Sequence, residues 1–88
     1  MNETEMITEL KRFAGFSEVY HKSCFEAYRN TKKGTVQKVS VEILDAGPEV
    51  AERYFCSATS GDGKTAAGNP APTINEVLTF VHWQDLDL

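Results

Sequence analysis

The chain has 88 residues, enough for one hydrophobic core and too few for a second. Its hydrophobic fraction of 41% and charged fraction of 25% suit a soluble globular protein, and it has no run of about 18 apolar residues of the kind that spans a bilayer. The formal net charge of -4 is unevenly placed: residues 1–38 carry seven Lys/Arg against five Asp/Glu, and residues 39–88 carry two against eight, so the second half would repel a phosphate backbone and general nucleic-acid binding is disfavoured.

The N-terminal stretch MNETEMITEL is acidic where a signal peptide would be basic and then apolar, so a cytoplasmic protein away from membranes is expected. Cys24 and Cys56 are too few for a secreted disulfide framework and read as reduced thiols.

Asn2 stands three residues before Glu5 and suits a helix start. Met6, Ile7, Leu10, Phe13 and Ala14 then give an apolar stripe, which predicts a helix over about 3–14 that stops at Gly15. Val19, Tyr20, Cys24, Phe25 and Tyr28 recur at helical spacing, and the reading adopted for 18–30 is a second helix capped by Ser17. The competing reading is an edge strand, suited by the aromatic and β-branched content of EVYHKSCF. NTKKG closes this segment as a loop.

From Val36 the period changes to two. Val39, Val41 and Ile43 oppose Lys38, Ser40 and Glu42, predicting a half-buried strand over 36–44. DAGPEVAE is a polar turn region. A strand over 53–59 has two possible inner sets, Tyr54, Cys56 and Ala58 or Arg53, Phe55, Ser57 and Thr59. SGDG turns the chain into a short strand over 64–67, and Thr73 with Glu76 forms a capping box for a helix over 74–84 striped by Ile74, Val77, Leu78 and Val81.

The fold class expected is therefore α+β in one domain over 1–88, a three-stranded antiparallel sheet with the N-terminal helical segments and the C-terminal helix on one face. The order of a helix, three strands and a helix after Ser17 resembles the double-stranded RNA-binding domain. That resemblance implies a nucleic-acid binder working, in this chain, through the basic first half. In that family a lysine cluster opens the last helix and a histidine sits in the turn between the first two strands. Here the matching positions read PAPTINE and AGPEVAE.

No organised catalytic set stands out. ATSGDGKT resembles a degenerate phosphate loop, but AAGNPAP follows where such a loop needs a helix, so a hairpin turn is expected, with Gly61 and Gly63 supplying positive φ. His21, Cys24, Cys56 and His82 are a candidate metal or Cys/His set with only one close spacing, and the two cysteines read better as small core hydrophobes. The expectation is a non-catalytic interaction or regulatory module that needs no cofactor or metal and partners another protein or a second copy of itself. Lys38, Arg53, Phe55, Phe80 and Trp83 are its candidate interface.

Overall fold

The computed structural model describes residues 2–87, the side chain of Glu3 excepted. Helix α1 (Glu3–Ala14) begins where Asn2 accepts a hydrogen bond from the Glu5 amide at 2.8 Å, and it ends at Gly15, whose φ of 68° is the left-handed stop that glycine adopts without strain. The strands β1 (His21–Asn30), β2 (Val36–Asp45), β3 (Tyr54–Ser60) and β4 (Thr65–Ala67) follow, then helix α2 (Ile74–Phe80) and a terminal 3-10 helix (Trp83–Asp87). The four strands pair antiparallel in chain order.

The sheet therefore has four strands where three were expected. Residues 21–30 form an edge strand, and the helix read over 18–30 is not there. Without that helix, the element order that resembled the RNA-binding domain is replaced by one helix, a four-stranded meander and a helix. At the other end, the helix read over 74–84 stops at Phe80; Val81 is extended, and the chain resumes as the 3-10 turn.

Paired residues in an antiparallel sheet share a face, so the registers sort the side chains. Val39, Val41 and Ile43 of β2 lie with Tyr54, Cys56 and Ala58 of β3 and Ala66 of β4 on the inner face. This settles the register of β3 in favour of the Cys56 set. Over it, Val77, Val81 and Leu86 close a core that also takes in Ala71, with Leu78 and Trp83 packed against it. The capping box forms as expected, Thr73 accepting from the Glu76 amide at 3.2 Å.

Two side-chain hydrogen bonds hold the 3-10 turn in place. Trp83 Nε1 donates to the Leu78 carbonyl at 2.9 Å, and buried Gln37 donates from Nε2 to the Leu86 carbonyl at 3.0 Å. Arg29 pairs with Asp87 beside them. Helix α1 is held differently: Ile7 is its one buried side chain among the described residues, seated over the turn at Gly47.

Candidate interaction surface

The expected interface residues do not form one patch. Lys38 and Phe55 lie on the outer face, the side away from α2, where Lys38 Nζ meets Glu26 at 2.9 Å and Phe55 stands beside Leu44, half-buried. Arg53 is bound in both prongs to Asp45, at 2.7 and 3.0 Å, and lies over the Tyr54 ring. Trp83 is half-buried against the core, and Phe80 is exposed on α2. The Arg53 hydrogen bonds, aided by the Gly47 amide, hold the Asp45 carboxyl below the ordinary carboxylate range against its partial burial.

Nor do the candidate metal and nucleophile residues converge. Cys56 is fully buried on the inner face, and burial pushes its thiol up, away from thiolate chemistry. Cys24 is exposed on the outer face, opposite Glu42, so its reading as a core residue is corrected. His21 opens β1 and His82 lies exposed beyond α2, its amide donating to the Ala67 carbonyl at 3.2 Å. Among the described residues no cluster of three His, Cys, Asp or Glu side chains is placed to hold a metal ion.

SGDGKT is the β3–β4 turn. The Ser60 amide donates to the Lys64 carbonyl at 2.8 Å, the Gly63 amide donates back to Ser60 at 3.0 Å, and Gly63 has a φ of 90°. Gly61, expected to share that conformation, does not. Three of the seven basic residues of the first half, Lys32, Lys33 and Lys38, gather near the β1–β2 turn, where with Lys64 they line a hollow of about 590 Å³. Asp62 and Asp87 line it too, and Lys38 and Lys64 are already paired with Glu26 and Asp62, so its positive excess rests on Lys32 and Lys33.

Apolar surface is concentrated elsewhere, along α1 and β1. Phe13 is 75% exposed, Phe25 56% and Tyr28 62%, and Met6, Phe16 and Tyr20 are about half exposed. The inner-face row explains Phe25. It continues the line of Val41, Ala58 and Ala66, but the core residues from α2 and the 3-10 turn gather over β2, β3 and β4.

The backbone of β1 is as open as its side chains. The Thr31 amide donates to the Thr35 carbonyl at 2.8 Å, and hydrogen-bonded pairs in an antiparallel ladder recur at every second residue. Odd-numbered residues of β1 thus bond to β2, while Lys22, Cys24, Glu26 and Tyr28 direct their N–H and C=O groups away from the sheet. Comparison of the chain with protein-family models, with curated proteins and with solved structures finds no match.

Proposed function

We propose that this chain is a non-catalytic protein-interaction module that docks an extended polypeptide strand along the open edge of β1. The observation carrying this reading is the edge itself. It is ten residues long where a strand commonly has about 5–6, its alternate backbone groups point outward, and aromatic side chains lie exposed on both of its faces. Added strands bind such edges through main-chain hydrogen bonds, with alternate side chains supplying specificity.

Amide exchange followed by NMR tests the reading, with a panel of ten-residue peptides of alternating apolar and polar sequence as probes. A docked peptide slows exchange at Lys22, Cys24, Glu26 and Tyr28 and leaves the odd-numbered amides, already bonded to β2, unchanged. Cys24→Pro deletes one outward N–H while sparing the β2 ladder, so it abolishes the effect in a chain that stays folded. A panel that protects none of the four amides, in a chain where they exchange freely before peptide is added, overturns the proposal.

A further inference from the structure

The charges on β1 narrow the choice of partner. Lys and other charged groups on an edge strand ordinarily discourage pairing with another chain, and β1 carries Lys22 and Glu26 among its outward-bonding residues. Their effect depends on what is brought alongside. When an antiparallel strand pairs with its own copy about a two-fold axis normal to the sheet, residue numbers across the axis have a constant sum, and only residues of one face meet.

A register centred on Lys22 or on Glu26 sets like charges against each other. Centring on Ser23 or Phe25 sets each of these two charges against an uncharged residue. Centring on Cys24 sets Lys22 opposite Glu26 of the partner subunit, and does so twice. Within each chain Lys22 Nζ already lies 3.2 Å from Glu42, and Lys38 Nζ lies 2.9 Å from Glu26. That register therefore joins the two existing pairs into an alternating line, running from Glu42 through Lys22 to Glu26 of the partner subunit and on to Lys38 of the partner subunit. The same register places each exposed Phe25 ring beside Ser23 of the partner subunit on the inner face, and Cys24 beside Cys24 of the partner subunit on the axis.

Taking strand docking at this edge as given, we infer that the strand it receives is β1 of a second copy, in the register centred on Cys24, making an eight-stranded sheet. Roughly six new main-chain hydrogen bonds form in the narrow pairs. The charge distribution agrees with this choice of face: β1 contributes two fixed cations and one anion, whereas residues 39–88 are strongly acidic and would repel their copy.

The test is sedimentation equilibrium of the reduced full chain with Lys22→Glu and Glu26→Lys variants. Each reversal turns both cross-axis pairs repulsive and should weaken the dimer roughly tenfold. An equimolar mixture of the two variants should regain dimer, because each strand then meets its opposite; repulsion within a chain is unchanged by mixing. Mild oxidation should link the unmodified chain through Cys24, across a spacing a disulfide accepts, and Cys24→Ser should not link. A chain that stays monomeric, or whose variants fail to recover on mixing, overturns self-pairing. Should the chain stay monomeric while a peptide from the panel still protects Lys22, Cys24, Glu26 and Tyr28, strand docking stands and only the identity of the strand is refuted. If a dimer forms with those four amides unprotected, the contact lies on another surface and both readings fall.

Discussion

The two edges of the sheet end in opposite ways. On one side β4 has three residues, and its outward carbonyl at Ala67 accepts from the His82 amide at 3.2 Å. Beyond it the chain bridges back, Tyr54 and Ala71 exchanging both backbone hydrogen bonds at 2.9 Å. On the other side β1 runs for ten residues; Arg29 near its end pairs with Asp87 of the 3-10 turn, but no β1 side chain joins the buried core. A chain of this size can bury only part of its surface, and here the burial goes to the β4 side. The open edge is what that distribution leaves available for contact.

Gly68 offers the most direct way to break the sealed side. A Cβ there would sit 2.1 Å from the Phe80 carbonyl oxygen and 2.9 Å from the Val81 nitrogen, both backbone atoms that no rotamer change can withdraw. Gly68→Ala should therefore cost about 3 kcal/mol, at the upper end for overpacking. For a domain this small that lowers the melting temperature by roughly 12–24 °C in a thermal scan followed by circular dichroism. A variant that melts with the unmodified chain would show that α2 does not approach β4 so closely.

A smaller effect comes from the clasp at the far end of β2. Asp45 is held below the ordinary carboxylate range by Arg53, so the folded state binds that proton more weakly than the unfolded one. The pair's contribution is full above the unfolded carboxylate value of about 4 and is lost as pH falls through the lower folded value. Asp45→Asn should lower stability at pH 7 by about 1 kcal/mol, since the pair is only partly shielded from water. In denaturant titrations from pH 7 to pH 2 the difference should shrink toward the acid end, whereas a gap that persists at pH 2 would assign the loss to packing.

The sealed side was also the legible side, for a physical reason. Period-two alternation in β2 and the stripe in α2 both arise from contrast between a covered and a wet face, and there the contrast exists: Val39 and Val77 are buried while Lys38 and Glu76 are exposed. In β1 neither face is deeply covered. Ser23, Phe25 and Ala27 on one side and Cys24, Glu26 and Tyr28 on the other are all exposed or half-buried, so no alternation is written into them. The apolar residues that remain, from Val19 to Tyr28, happen to fall at helical spacing. Their aromatic and β-branched content was the signal for the strand. Because Phe25 and Tyr28 share that helical spacing, the sequence does not single them out as contact residues, and Trp83 spends its indole N–H on the Leu78 carbonyl.

Phe25 gives the smallest effect and the sharpest test of the open edge. Its ring lies in the core row by register with Val41, yet more than half of it is exposed. Phe→Ala in a packed core costs about 3–5 kcal/mol. In the dilute chain Phe25→Ala should cost less than about 0.5 kcal/mol, the range of a surface change, in urea denaturation monitored by fluorescence. A core-like loss would mean that another part of the same chain covers β1. Raising the concentration adds the second half of the comparison: association stabilises by mass action, so the unmodified chain should gain stability with concentration. Phe25→Ala should gain less, because the ring it lacks is one that pairing would cover. A parallel rise in both would place the association away from Phe25, and the difference between the two edges would then be one of stability alone.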